Sequence, residues 1–297
     1  MARVTILSHS ERFYTTRRLL AAGAALGHQM ASVDPVSVAI ALSPSGPRLI
    51  AGGAVVRVPE VVIPRIGVRL ARWSGSLLGA WIAAGAYSAV TPEAIARAGD
   101  KLATSERLLA AGLPILPTVA IREPGHVEQA LSTLGGDAWV LKRRRGSGGD
   151  GVVLVRGFDC ARSALEAWVG AGHTALVQPY VALDPVRDLR VLVLGGEPTA
   201  AAWRHAAPGE FRANVHRGGR PVAAELTSET RDLAARAAAA SELACCGVDL
   251  LETPTGWVVL EVNASPSLEG IEAATGRDLA TPYVAGWVAG APRHIGS

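Results

Sequence analysis

Short apolar runs alternate with longer Ala-rich stretches along this chain, the pattern of strands alternating with helices. Arg3 to Leu7 reads as a strand and Thr15 to Leu26 as a helix ending at Gly27. Val61 to Pro64 is a second apolar strand, entering the loop Arg65-Ile66-Gly67. This alternation predicts a small parallel α/β unit up to about residue 95. Pro92 and Glu93 then open a helix, with Thr91 as N-cap and proline at the first helical position, where its missing N–H costs no bond.

From Asp100 the texture changes. Ser105 to Ala111 continues a helix capped by Gly112, and Pro114 with Pro117 forces extended chain. Trp139 to Lys142 and Gly151 to Val155 read as strands on either side of a glycine-rich turn, Arg143 to Asp150. Asp159 to Gly170 reads as a helix and Ala175 to Val181 as a strand. Leu189 to Leu194 and Pro198 to Arg204 flank a Gly195-Gly196 turn. An Ala-rich helix from Thr227 to Leu243 precedes strands at Val248 to Leu251 and Trp257 to Val262, and the tail is helical.

Composition narrows the class. A chain of 297 residues with 49% hydrophobic content suits two or three small domains with soluble surfaces. Met1 to Ser10 carries no signal-peptide core, and the most apolar run, Leu77 to Val90, is broken by glycines and too short to span a bilayer. Three cysteines, Cys160, Cys245 and Cys246, fit a reducing compartment and read as small buried apolar groups. The expectation is a cytoplasmic protein without a membrane partner. The net charge of +3 is mildly basic, and the only basic run, Arg143 to Arg145, abuts the glycine turn. A nucleic-acid surface would show a wider basic stripe with interleaved aromatics, so no direct nucleic-acid partner is expected.

Of the 29 lysines and arginines only two are lysine, Lys101 and Lys142; Asn214 and Asn263 are the only asparagines. Lysine offers a compact point charge where arginine offers a wide planar fork, so close phosphate contacts tolerate one and not the other. Lys142 stands just before Gly146-Ser147-Gly148-Gly149-Asp150-Gly151. A phosphate loop of the Walker or dinucleotide type leads from strand into helix. Here Val152 to Val155 follow at once, so the segment is a hairpin flap whose bare N–H groups could close over phosphates. An ordinary hairpin turn is the plainer alternative.

Asp249, Glu261 and Asn263 form a second group. Side chains alternate along a strand, so residues 261 and 263 share a face, and Asp249 lies beside them if the two strands pair. Two carboxylates and an amide oxygen make an oxygen-only set suited to magnesium bound with nucleotide phosphates; three polar residues closing a sheet edge would look alike. The third group is Asp188-Leu189-Arg190, Arg204, and Arg212 to Gly219. Arg190 and Arg204 fall one hairpin apart, where converging guanidinium groups can grip carboxylate or phosphoryl oxygens. Taken singly, each is a solvated surface arginine.

In this order the motifs resemble the RimK-type ATP-grasp ligases, nearly end to end. The likeness is carried by residues 61–67, 94–102, 140–142, 146–154 and 188–190. Its most specific segments are Phe211-Arg212-Ala213-Asn214-Val215-His216-Arg217-Gly218-Gly219 and Glu261-Val262-Asn263-Ala264-Ser265-Pro266 through Glu272. The resemblance implies an α/β fold, α+β in its C-terminal part. It divides into an N-terminal pre-ATP-grasp domain (1–95), a central lid (96–181) and a C-terminal antiparallel-sheet domain (182–297), with ATP between the last two.

By resemblance, Lys101 and Lys142 contact ATP phosphates, Gly146, Ser147, Gly148, Gly149 and Gly151 cover them, and Gln178-Pro179-Tyr180-Val181 is the adenine hinge. Asp188 approaches the ribose. Asp249, Glu261 and Asn263 carry two Mg2+ ions, with Mn2+ as substitute, while Arg190, Arg204, Arg212 and Asn214 hold phosphate and acyl-phosphate oxygens. Arg65, Gly67, Arg217, Gly218 and Ser265 are the substrate-side residues. Three departures stand out: Pro179 where the hinge has glutamate, Gly148 and Asp150 in the flap, and His205 after Arg204.

The implied reaction joins a carboxylate to an amine. The carboxylate attacks the γ-phosphate, ADP leaves, and the amine displaces phosphate from the acyl phosphate. The amine expected from the resemblance is glutamate, added to a protein C-terminus or a growing poly-α-glutamate. Other relatives modify coenzymes, carrier proteins or small peptides, and a homo-oligomer, a tetramer, is expected by family. Two readings of other classes stand beside it: a phosphotransferase that stops after γ-phosphate transfer, and a ribosome- or peptide-binding protein without chemistry.

Overall fold

The computed structural model describes residues 1–67, 70–146, 148–213 and 218–292; the expectations for Ser147, Asn214 and Arg217 lie outside them. β1 (Arg3–Ser8) pairs in parallel with β2 (Gln29–Val33) on one side and β6 (Val61–Arg65) on the other. Val4, Ile6 and Leu7 stand opposite Val61, Ile63 and Pro64 across this pairing, all buried, as strands covered on both faces require. α1 (Tyr14–Ala25) and α2 (Ala71–Ala83) supply cover. Between β2 and β6 lies an antiparallel ladder that the sequence reading did not anticipate: β3 (Val38–Ser43), β4 (Gly46–Ala51) and β5 (Ala54–Val55). Its strands are half-exposed and carry little apolar periodicity.

α3 (Pro92–Ala98) starts where expected, with the Thr91 hydroxyl accepting from the Ala94 N–H at 3.1 Å. The chain then breaks at Gly99 and restarts as α4 (Lys101–Ala110), because the Asp100 carboxylate accepts from the Ala103 N–H and caps a new helix.

The central sheet runs β7 (Val119–Ile121), β10 (Ala175–Pro179), β8 (Ala138–Arg143) and β9 (Val152–Arg156), backed by α5 (Val127–Leu134) and α6 (Phe158–Gly170). It has its own core, built on Trp139, Leu141, Leu165 and Val177. Cys160 is exposed on α6 while Ala161 and Leu165 are buried, which corrects its expected burial; Cys245 and Cys246 are buried.

The C-terminal sheet is antiparallel, in the order β13 (Arg220–Ala224), β12 (Glu197–His205), β11 (Arg187–Leu194), β14 (Cys246–Thr253), β15 (Gly256–Asn263). α7 (Ser228–Ala240) packs on it. α8 (Glu269–Thr275) leads to α9 (Ala280–Ala289), which lies on α1, so the N- and C-terminal parts share one apolar core.

Candidate active site

Register decides which charges meet on the C-terminal sheet. Asp188 stands opposite Arg204, Arg190 opposite Asp249, and Asp249 opposite Glu261, so alternation puts all five side chains on one face. Arg204 forks onto Asp188 at 2.6 and 2.7 Å and reaches Asp249 at 3.0 Å, while Arg190 forks onto Asp249 at 2.6 Å through both nitrogens. Asn263 Nδ2 donates to Asp249 Oδ2 at 3.4 Å. Burial pushes the Asp188 carboxyl above its ordinary value despite Arg204. Burial acts the same way on Asp249, but there the two guanidinium groups win and hold it below the usual carboxylate range. Burial likewise opposes the charge of Arg204, and the two carboxylates outweigh it and keep that group protonated.

The facing wall is cationic. Lys142, on β8, has its ammonium lowered to about 8, chiefly by burial, against the pull of Glu261. Lys101, at the start of α4, reaches Glu261 at 3.7 Å and donates to the Gly146 carbonyl at 2.7 Å. Above them the β8–β9 hairpin turns through Gly148 and Gly149 at φ +65° and +77°, a conformation that L side chains avoid. Arg212 donates from Nη1 to the carbonyls of Gly149 (3.2 Å) and Val152 (3.1 Å).

These walls enclose a cavity of about 160 Å³. Lys101, Lys142, Gly148, Gly149, Asp188, Arg204, Arg212, Asp249 and Glu261 line it, as does the segment Gln178 to Val181. A second cavity, about 610 Å³, lies between the N-terminal unit and the C-terminal sheet; Arg65, Gly67, Gly146, Arg190, Asn263 and Ser265 line it. The two share Gly148, Arg204 and Glu261. The Ser265 hydroxyl accepts from the Ile66 N–H at 3.1 Å, tying the Arg65–Gly67 loop to the end of β15.

Two glycines expected at the site line neither cavity. Gly151 sits at φ +69°, and a Cβ there would stand 2.7 Å from the Arg143 side chain, so its place in the turn is conformational and steric; Gly218 abuts Ala207. Each of the three arginines expected at the phosphates is paired with a carboxylate. Arg190 and Arg204 are engaged by Asp249 and Asp188, and Arg212 by Glu210, because strand register and the 210–212 loop bring a carboxylate against each. Asp188 is correspondingly held by Arg204.

Sequence reasoning passed over Glu210 and Asp100, whose only signal was an acid beside a motif arginine or lysine. It also passed over the apolar wall residues Leu116, Val186 and Leu260, which carry no local signature.

The donor chemistry of Asp249, Glu261 and Asn263 fits a hard divalent cation, and Glu261 lies on the border of both cavities. Among the described residues no group of three or more His, Cys, Asp or Glu converges as a metal site, so such a set rests on two carboxylates and an amide.

Residues 2–95 match the RimK PreATP-grasp domain, and residues 98–286 match the RimK-like ATP-grasp domain. The chain belongs to the RimK-like ATP-grasp family. Like its family it is an ATP-dependent carboxylate–amine ligase. Probable alpha-L-glutamate ligase 2 of Pseudoalteromonas atlantica (strain T6c / ATCC BAA-1087) is 37% identical over 282 residues, 95% of this chain and 94% of the relative. Probable alpha-L-glutamate ligase of Marinomonas sp. (strain MWYL1) matches to the same extent.

The fold is shared with the ATP-grasp ligase PsnB complexed with minimal precursor: TM-score 0.77, 21% identity, covering 97% of this chain and 99% of that one. It is shared also with the RimK domain protein from Sphaerobacter thermophilus DSM 20745, at TM-score 0.72, 22% identity, and 97% and 100% coverage. The ATP-grasp fold thus accounts for the central and C-terminal sheets, which wall the smaller cavity. Among the described residues of this RimK-like ligase no helix is long and apolar enough to cross a membrane.

Proposed function

We propose that this ligase adds glutamate to a carboxylate acceptor, either a protein C-terminus or a growing poly-α-glutamate chain. Support for glutamate comes from the relatives, which bear the name of alpha-L-glutamate ligases. The single observation that carries the mechanism is the meeting of the two cavities at Gly148, Arg204 and Glu261. In this reading ATP occupies the smaller cavity, its base against Gln178 to Val181 and its phosphates between Lys101 and Lys142, and the acceptor enters through the larger one.

The acceptor carboxylate attacks the γ-phosphorus at the shared wall, ADP leaves, and the amine of the incoming glutamate displaces phosphate from the acyl carbon. Phosphoryl transfer needs alignment and charge neutralisation more than a protein nucleophile. Lys101 and Lys142 supply the positive charge, and the flap excludes water from the acyl phosphate. Asp249, Glu261 and Asn263 would hold Mg2+, two ions with Mn2+ as substitute, which when bound neutralises phosphate charge. Arg65, Gly67 and Ser265 border the acceptor, and the units 1–95, 96–181 and 182–297 move as domains about the nucleotide. A cytoplasmic homotetramer completes the reading.

The test is ADP release by the purified protein with glutamate and candidate carboxylate acceptors, with hydroxylamine added in parallel. The expected result is ADP release dependent on the acceptor, a hydroxamate in the trap, and products heavier by whole glutamyl units. ADP release without hydroxamate or ligated product would sink the reading.

A further inference from the structure

Glu210 sits in the loop after β12 and does two separable things. Its Oε1 accepts from the backbone N–H groups of Phe211 (2.9 Å) and Arg212 (3.2 Å), which fixes the loop. The same carboxylate also takes one whole edge of the Arg212 guanidinium, Nε at 2.9 Å and Nη2 at 2.7 Å. That edge is the fork with which arginine grips a phosphoryl or carboxylate group bidentately. With the fork filled by Glu210 and the guanidinium resting over the Phe211 ring, 4.9 Å from its centroid, Nη1 is the nitrogen left to reach outward. It meets the Gly149 and Val152 carbonyls of the flap. The hydrogen bonds from Arg212 outweigh burial and hold the Glu210 carboxyl below its ordinary value, so the pair is ionic.

We propose that Glu210 is a positioning residue that aims Arg212 at the glycine-rich flap, the pair forming a latch between the C-terminal sheet and the hairpin covering the nucleotide. The latch rests on the reading of the smaller cavity as the ATP site. Nucleotide entry requires the flap to lift, so the two Nη1 contacts break and re-form in each cycle. The Glu210–Arg212 fork stays made throughout and keeps the latch arm preset. Arg212 then acts on the flap instead of on the reacting oxygens.

Glu210→Gln separates the two tasks. Its side-chain oxygen can still accept from the Phe211 and Arg212 N–H groups, but the charged fork is lost. Three readouts serve: KM for ATP against kcat, the ratio of ligated product to ADP, and trypsin cleavage at Arg143 to Arg145 with and without a non-hydrolysable ATP analogue. The latch predicts a KM for ATP raised about tenfold, the scale of one charge-assisted hydrogen bond. It also predicts more ADP per product and loss of nucleotide protection against trypsin. Glu210→Gln/Arg212→Gln should be no worse than Arg212→Gln alone, since residues acting as one unit are non-additive.

Two results would overturn the latch. One is wild-type coupling and flap protection in Glu210→Gln. The other is a fall in kcat from Arg212→Gln with KM and protection untouched, which would return Arg212 to the reacting oxygens. If the wild-type protein forms no product, the ligase reading fails, while the protection assay still reads the latch.

Discussion

Lys142 shows how a single residue couples burial to binding. Burial pulls its ammonium down to about 8, against the attraction of Glu261 and with Lys101 adding to the fall. Between pH 8 and the unfolded value of 10.5 the unfolded chain holds more protons than the folded one, so this group adds stability as pH rises through that window. In the proposed ATP site, phosphate binding by Lys142 requires that proton, which must be supplied above pH 8. ADP measured calorimetrically at pH 9 in buffers of different ionisation enthalpy should take up close to one proton. Its affinity should fall about tenfold per pH unit above the Lys142 value. Binding at pH 9 without proton uptake would remove Lys142 from the phosphate site.

Both lysines were legible in the sequence through their rarity, and the Asp249, Glu261 and Asn263 group through alternation. The carboxylate partners of the arginines were not. Asp188, Asp249 and Glu210 engage Arg204, Arg190 and Arg212 through register and loop closure, which spacing along one chain does not reveal.

Among the elements, the flap depends on how its root is held. Asp100 caps α4, accepts from Arg144 Nε at 2.8 Å and from Arg145 at 3.0 Å, and is almost fully buried. The Lys101 N–H adds a bond to the Arg144 carbonyl at 2.9 Å. Burial alone would raise the Asp100 carboxyl, and the Arg144 hydrogen bond leads the effects that bring it below its ordinary value. Asp100→Asn removes the charge while keeping a capping oxygen. It should destabilise the protein by about 2–3 kcal/mol, the cost of leaving hydrogen-bonded charge partners unpaired, and should increase proteolysis at Arg143 to Arg145. A change below about 0.5 kcal/mol, the range of ordinary surface substitutions, would show that the flap root is held otherwise.

The strand–turn–strand form of this flap was readable because Val152 to Val155 follow the glycines directly. The break between α3 and α4 was not, since a cap inside a continuous helical pattern leaves no gap in periodicity. The β3–β5 ladder escaped for a related reason: its short, half-exposed strands lack a clean apolar alternation.

Across the whole molecule, one buried acid joins the two ends of the chain. Glu272 accepts from Tyr14 Oη at 2.8 Å, Arg18 Nε at 3.0 Å and the Leu279 N–H at 2.8 Å, pinning α1 to the α8–α9 turn. Burial would raise this carboxyl, and hydrogen bonds led by Arg18 lower it instead. Its stabilisation is therefore present above the unfolded value of 4.5 and is lost as pH falls through the lower folded value. Glu272→Ala should cost on the order of 3 kcal/mol at pH 7 and flatten the acid limb of the stability curve. An unchanged acid limb would contradict that role.

α1 also lines the larger cavity through Tyr14, Thr15 and Thr16, so this staple holds one wall of that cavity in place. The measurement that bears most directly on the account is a crystal structure with a non-hydrolysable ATP analogue. Its γ-phosphate should lie at the junction of the two cavities, within hydrogen-bond reach of Lys101 and Lys142 and facing Glu261. A nucleotide bound elsewhere, or one whose γ-phosphate points away from the larger cavity, would contradict the account.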